Sequence, residues 1–377
     1  VSPGPAPRYR IAIIGTRGIP ARYGGWETFA EELATRLVAR GHDVTVYCRP
    51  GNADGDPPRY QGVHLVYTRS IDSKRLGSVT QGLTAILHAM RRDYDCIHVM
   101  NVGNSLMAAL LKLRVKAIAY TVDGLDWQRP KWGPVIKAAL QLGELVTTKV
   151  ATELVTDSKA IQAYYRARYR RDSTFIAYGA NVDVSRRPEV LKEYDLERDD
   201  YFFVASRLEP ENNADLTVRA FEGVATTKKL VIAGGANYRS EFIARLRSTR
   251  DPRVRFLGPV YQDGHIQELH CNCFAYVHGN EVGGTNPALL KAMAYGNAVI
   301  GLDVPYNAEV LDGAGLLYQK SVDDLRAKIR HALDHPEVVA RCRARAVERI
   351  REAYTWDHIV DEYERVYGRV VAANRAP

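Results

Sequence analysis

The chain has 377 residues, 46% apolar and 25% charged, with a formal net charge of +8. That length exceeds one ordinary hydrophobic core and predicts two domains, and the composition excludes a disordered or fibrous chain. No apolar run reaches the ~20 residues of a membrane helix, and residues 1–8 (VSPGPAPR) read as a Pro-rich tail, not a signal peptide.

In chain order, residues 10–15 (RIAIIG) read as a strand ending in glycine. Phe29, Leu33, Leu37 and Val38 then fall at helical spacing over 25–41, where Gly41 suits the C-cap. Strands are predicted over 43–48 (DVTVYC), 63–68, 96–100 (CIHVM), 117–122 (AIAYTV), 153–157 and 174–178, with a helix over 79–92. The pattern restarts at 201, with strands over 201–206, 229–233, 254–257, 273–277 and 298–302 and helices between them. Polar residues 183–200, with Pro188, read as the linker; a charged helix covers 322–353 and an amphipathic one 356–371. This alternation predicts an α/β protein of two Rossmann-like, doubly wound lobes facing across a cleft. The expected division is 1–183, 184–355 and a helix in 356–377 that packs back toward the first lobe. Ligands bind at the carboxyl ends of parallel strands, so that cleft is the expected site.

Three loops at strand ends carry the chemistry. The first is 15–27 (GTRGIPARYGGWE), where glycines and a helix N-terminus suit a phosphate, with Arg17 and Arg22 adding charge. It lacks dinucleotide spacing and equally reads as a tight turn. The second is 206–213 (SRLEPENN), in which Arg207 at a strand end suits a diphosphate. The third is 278–291 (HGNEVGGTNPALLK), in which Gly283, Gly284, Thr285 and Asn286 precede Pro287 at a helix start, with Glu281 beside them. His98, inside CIHVM, reads as a core histidine.

The stretches IGTRGIPARYGGWETFAEELA, SRLEPENN, HGNEVGGTNPALLKAMAYGN and LDVPYNAEVL resemble the retaining glycosyltransferases of the two-lobed GT-B fold. They are similar in particular to a bacterial subgroup of rhamnosyltransferases that build cell-surface glycans, and the likeness runs over nearly the whole chain. The resemblance implies an N-terminal acceptor lobe and a C-terminal nucleotide-sugar lobe. It assigns Gly24 and Gly25 to the donor diphosphate or sugar and Arg207 to the diphosphate. A lysine follows that arginine by five positions in much of the family, and here the position is Asn212. The family's two carboxyl-terminal glutamates touch the donor sugar and the ribose. Glu281 fits the first role, whereas the second falls on Lys291, two residues beyond the family spacing and unable to accept from a ribose diol.

The reaction so implied moves a hexose or deoxyhexose, rhamnose favoured, from a nucleoside-diphosphate sugar to a saccharide or lipid-linked acceptor, without a cofactor. Positive charge on the leaving diphosphate is its main requirement. Asp123, in TVDGLDW, is the candidate acceptor-side group, able to orient a hydroxyl, act as a base or cap a turn, with Trp127 and Arg129 as acceptor contacts. Asp54-Gly-Asp56 and Asp93-Tyr-Asp95 lie away from the donor position, and Cys271-Asn-Cys273 has no second cysteine pair, so no metal is expected.

Five cysteines, an odd number, suit a reducing cytoplasm. Trp127, Trp132, Lys131 and Lys137, with Arg166, Arg168, Arg170 and Arg171 among Tyr164, Tyr165 and Tyr169, suit either an acceptor wall or a peripheral contact with an anionic membrane on the inner face of the plasma membrane. No nucleic-acid motif stands out, and no nucleic-acid partner is expected. The competing readings are a nucleotide-sugar epimerase, which needs no acceptor, and a catalytically weak sugar-nucleotide binding protein, prompted by Asn212 and Lys291.

Overall fold

The computed structural model describes residues 7–22, 24–71, 77–129, 132–235 and 241–375. Most of the N-terminal tail, Tyr23 of the first loop and Lys131 lie outside the described residues. The chain divides into two compact units, Val1–Tyr178 with Trp356–Pro377, and Gly179–Thr355.

The first unit runs β1 (Arg10–Ile14), α1 (Gly25–Ala39), β2 (Asp43–Cys48), β3 (Arg59–Tyr60), β4 (Val63–Tyr67), α2 (Gly77–Ala89), β5 (Cys96–Met100), α3 (Ser105–Ala108), β6 (Ile118–Val122), α4 (Pro134–Val150), β7 (Glu153–Thr156), α5 (Lys159–Tyr169) and β8 (Thr174–Phe175). Its strands form one sheet in the order β3-β4-β2-β1-β5-β6-β7-β8, parallel except where β3 meets β4. Every residue of β5 and β6 is buried, which is why both read as largely apolar runs and not as alternating strands.

The second unit runs β9 (Tyr201–Ala205), α6 (Ala214–Glu222), β10 (Lys229–Ala233), α7 (Glu241–Leu246), β11 (Val254–Gly258), α8 (His265–Cys271), β12 (Ala275–His278), α9 (Pro287–Ala294), β13 (Val299–Leu302), α10 (Pro305–Leu311), β14 (Gly315–Tyr318), α11 (Val322–Asp334) and α12 (Pro336–Ala353). Its sheet is parallel throughout, in the order β11-β10-β9-β12-β13-β14. The segment expected to be a linker is part of this unit: it holds a 3-10 turn over Pro188–Tyr194, and Asp183 donates its amide to Ala294 O. The charged helix expected over 322–353 is two helices. Pro336 has no amide hydrogen and its ring would clash with the preceding turn, so α11 ends at Asp334 and α12 restarts at Pro336.

The last helix, α13 (Trp356–Arg375), belongs to the first unit. Ile359, Val360, Tyr363, Val366, Tyr367 and Val370 are buried along one stripe. Glu364 on α13 binds Arg40 at 2.6 Å and His42 at 2.8 Å. Beneath the stripe, His98 Nδ1 lies 2.8 Å from Tyr367 OH and Nε2 lies 2.7 Å from Thr121 Oγ1. The sequence reading of His98 as a core histidine matches this placement, since both ring nitrogens have partners.

Burial pushes the His98 pKa down to about 3. A histidine whose folded pKa lies below its unfolded value of about 6.5 favours folding in the neutral form. Its contribution is complete above pH 6.5 and is lost as pH falls toward 3. Acidification from pH 7 to 5 is therefore expected to lower the thermal unfolding midpoint, as the contribution of this group falls by up to about 1.4 kcal/mol per pH unit. His98→Gln should lower stability at pH 7 and shrink the difference between pH 7 and pH 5. An unchanged pH difference in the variant would assign the acid sensitivity elsewhere.

Candidate active site

The order of each sheet reverses at one pair of central strands: β1 and β5 in the first unit, β9 and β12 in the second. In doubly wound sheets the carboxyl ends at such a reversal form a crevice that backbone connections leave open. All three loops singled out in the sequence begin at these strand ends.

In the second unit, β9 runs into the exposed Arg207 and then a 3-10 turn over Pro210–Asn212. Asn212 is buried, and its Nδ2 donates to Arg207 O at 2.7 Å, so this side chain clamps the backbone of the arginine loop. Asn213, at φ 54°, starts α6 and joins the two central strands. Its Nδ2 donates to Gly279 O at 2.9 Å and to Glu281 Oε2 at 3.0 Å. Gly279 permits this approach, because a Cβ there would lie 2.5 Å from Asn212 O.

Glu281 sits just beyond β12, half-buried. It receives Asn213 and also Lys320 Nζ at 2.5 Å, while its own amide donates to Glu211 O at 3.0 Å. Tyr306 OH donates to Glu281 O. Burial pushes the Glu281 pKa up, but the bonds from Lys320 and Asn213 outweigh it and hold the carboxylate below its ordinary range. Gly283, Gly284 and Thr285 follow, the last two buried, and the Asn286 side chain caps α9 by accepting from Ala288 N at 2.9 Å. Lys291 lies exposed on α9. Two buried hydroxyls at strand ends, Ser206 Oγ after β9 and Tyr318 OH at the end of β14, find no partner among the described residues. Buried polar groups are almost always bonded, so these positions suit a polar ligand or ordered water.

In the first unit, Gly24 caps α1 without a side chain, leaving the amides of the first turn for an outside anion. Gly25 is the first helical residue. Acidic side chains of α1 hold the preceding loop: Glu27 accepts from Arg17 N at 3.1 Å, and Glu31 accepts from Ala21 N at 2.5 Å. Gly15, at φ +118°, lets the loop leave β1 where any Cβ would fall 2.2 Å from Met100 O. Arg22 pairs with Asp54 at 2.9 Å.

Asp123 lies just past β6. Burial, and after it the neighbouring Asp126, raise its pKa to about 8 against the opposing pull of Arg129 and the Trp26 indole. Arg129 holds Asp126 at 2.7 Å, and Trp26 rests on Tyr178 with ring centroids 6.1 Å apart. Gly24, Gly25 and Asp123 thus share one locality through Trp26. Trp127 packs against the core of the unit.

Of the aromatic and basic stretch expected at a membrane, the tyrosines turn inward, whereas Arg166, Arg168 and Arg170 are exposed. Tyr165 is buried, and Tyr164 OH and Tyr169 OH both donate to Glu144, at 2.8 and 2.7 Å. Asn213, Lys320, Tyr306 and Trp26 were not identified from sequence. Lys320 follows a short strand, β14, which was also unpredicted, and only the fold brings it to Glu281.

Among the described residues, no group of three or more His, Cys, Asp or Glu is arranged to hold a metal. Asp54 is engaged by Arg22, and Asp56 and Asp95 accept from Gly51 N and Arg10 N, each at 2.8 Å. A cleft of about 330 Å³ lined by Arg186, Arg187, Gly264 and Glu268 lies beside α8. Glu268 there already accepts from the Arg186 and Arg187 amides at 2.7 Å, which makes it a structural junction.

Residues 199–335 match the family described as "Glycosyl transferases group 1". Residues 8–181 match a family described as a "Domain of unknown function (DUF1972)". No curated protein matches the sequence. Among solved structures, the chain is similar to sucrose-phosphate synthase from Thermosynechococcus elongatus, at a TM-score of 0.82 and 18% identity over 97% of this chain and 100% of that one. It is also similar to HepE from Anabaena in complex with UDP and glucose, at 0.77 and 16% over 96% and 100%. A trehalose-phosphate synthase from Burkholderia vietnamiensis matches at 0.73 and 12%, over 96% and 100%. These likenesses show the fold, which is GT-B. With the group 1 domain on residues 199–335, the chain is a glycosyltransferase.

Proposed function

We propose that the chain is a retaining glycosyltransferase that moves a hexose or deoxyhexose, rhamnose favoured, from a nucleoside-diphosphate sugar to a saccharide or lipid-linked glycan. The observation that carries this reading is the polar group at the ends of β9 and β12. There Arg207 lies in the loop that Asn212 clamps, and Glu281 is held ionised between Asn213 and Lys320. A carboxylate fixed in this way suits the hydroxyls of a donor sugar, and an arginine suits a diphosphate as it leaves. HepE, of the same fold, holds UDP and glucose.

In this reading the second unit takes the donor, with Gly283, Gly284, Thr285 and Asn286 at the start of α9 and Lys291 toward the nucleoside. The first unit takes the acceptor beside Asp123, Trp127 and Arg129, and Gly24 and Gly25 serve the donor diphosphate or sugar. The leaving phosphate takes the acceptor proton in a front-face transfer, so the reaction is not obliged to use a protein base. Donor and acceptor require no resident cofactor.

A thermal-shift series with UDP-, dTDP-, GDP- and ADP-sugars tests it. A ligand at 100 times its Kd stabilises the native state by about 2.7 kcal/mol, so a matching donor should raise the midpoint by several degrees. No shift with any nucleotide would overturn the reading. A second reading, a weak sugar-nucleotide binder, is favoured by Lys291 standing where the family signature has a carboxylate. It predicts the thermal shift without turnover when acceptor is added.

A further inference from the structure

Exposed apolar surface is concentrated on one part of the chain. Among the described residues, the large hydrophobic side chains that are exposed are Val184, Tyr261 and a set that falls entirely between Ile71 and Leu145 of the first unit. The elements that carry most of this set are α2, α3, the 3-10 stretch Ala109–Leu113 and α4, which pack side by side. On α4, Val135, Leu142 and Leu145 share one side, with Val135 81% exposed, while Gly143, Thr147 and Val150 are buried on the other. Ala138 and Ala139 are exposed as well. Leu113, at 80% exposure, continues the surface, and Val79, Leu83 and Leu87 add a stripe at four-residue spacing on α2. A helix facing only water would be polar at these positions.

The exposed charges on these elements are positive. Residues 77–92 and 101–122 contain Arg91, Arg92, Lys112, Arg114 and Lys116 but no Asp or Glu, and all five cations are exposed. Over 132–151 the single acid is Glu144, which is buried. An apolar face bordered by cations matches the interface of a bilayer, where acyl chains receive the one and lipid phosphates the other. A second copy of the chain fits poorly, because self-association would bring the same cations together.

We infer that this face of the first unit seats on an anionic lipid bilayer. The contact is peripheral: no helix among the described residues is long and apolar enough to cross a membrane. It lies on α2, α3 and α4, not on the tyrosine and arginine stretch of α5. It stands independently of the transfer chemistry.

Flotation with vesicles of phosphatidylcholine, with and without phosphatidylglycerol, tests it. The wild-type chain should float with the anionic vesicles, less as salt rises, and poorly with neutral ones. Val135→Glu with Leu142→Glu should lower partitioning about tenfold or more, and Lys112→Glu with Arg114→Glu should abolish the preference for anionic lipid. Both variants should keep the wild-type melting profile, because the altered positions are exposed. Three outcomes would overturn the inference: no flotation, equal flotation of wild type and Val135→Glu/Leu142→Glu, or a lipid-free dimer in sedimentation that this variant dissociates.

Discussion

Arg207→Ala is expected to lower kcat/KM for sugar transfer by about 10²–10³, the loss that follows removal of a preorganised donor to developing negative charge. The effect follows from where the arginine is held. It leaves the end of β9 at the strand reversal, on a loop whose backbone is fixed by Asn212. A lysine at position 212 would give the leaving diphosphate a second cation. The asparagine gives none, so more of the stabilisation falls on Arg207. Because Arg207 is exposed, its removal should leave the melting midpoint within a degree or two of wild type while the shift produced by a nucleoside diphosphate disappears. Glu281→Gln separates the other half of the site. It keeps the shape but ends the charge that Lys320 and Asn213 hold, and should reduce kcat while retaining nucleotide binding. If Arg207→Ala turned over at the wild-type rate and still bound nucleotide, the assignment of the diphosphate to this loop would fall.

The contrast between Asn212 and Lys320 marks how far sequence reasoning reaches here. Strands such as RIAII and YFFVA declare themselves because burial on both faces forces a run of consecutive apolar residues, Ile11–Ile14 and Tyr201–Val204. The strand-end loops were legible because glycine, proline and capping residues are punctuation with steric causes. Two things were not legible. Asn212 occupies a position where relatives place a cation, and nothing local in the sequence signals that its amide turns inward to Arg207 O. Lys320 lies 39 residues beyond Glu281, in a stretch with no local signal, and reaches it because β14 lies next but one to β12 in the sheet. The charge pairing depends on sheet order, which a hydrophobic pattern does not encode. The single helix expected over 322–353 failed for a simpler reason: its charge pattern continued through Pro336, where hydrogen bonding cannot.

Asp123→Asn is expected to change the pH dependence of transfer more than any other substitution in the first unit. Burial and the nearby Asp126 raise the carboxyl to about pH 8, so at neutrality most molecules carry it protonated. If the ionised form accepts the acceptor's proton, kcat should climb about tenfold per pH unit up to pH 8 and level off above it. The asparagine cannot ionise, so the variant should lose that limb and fall about 10²-fold at pH 8.5, toward the lower end of what a positioned base supplies. Arg129→Ala gives the complementary result. Arg129 opposes the rise while holding Asp126, so its loss should move the break in the profile to higher pH. Were Asp123 only to orient a hydroxyl through a hydrogen bond, the asparagine would preserve much of the rate, and both profiles would share one shape. In the front-face reaction the leaving phosphate takes the proton by itself. A break near pH 8 that survives Asp123→Asn would therefore assign the titration to another group and leave Asp123 as the residue that, with Trp26, shapes the acceptor side of β6.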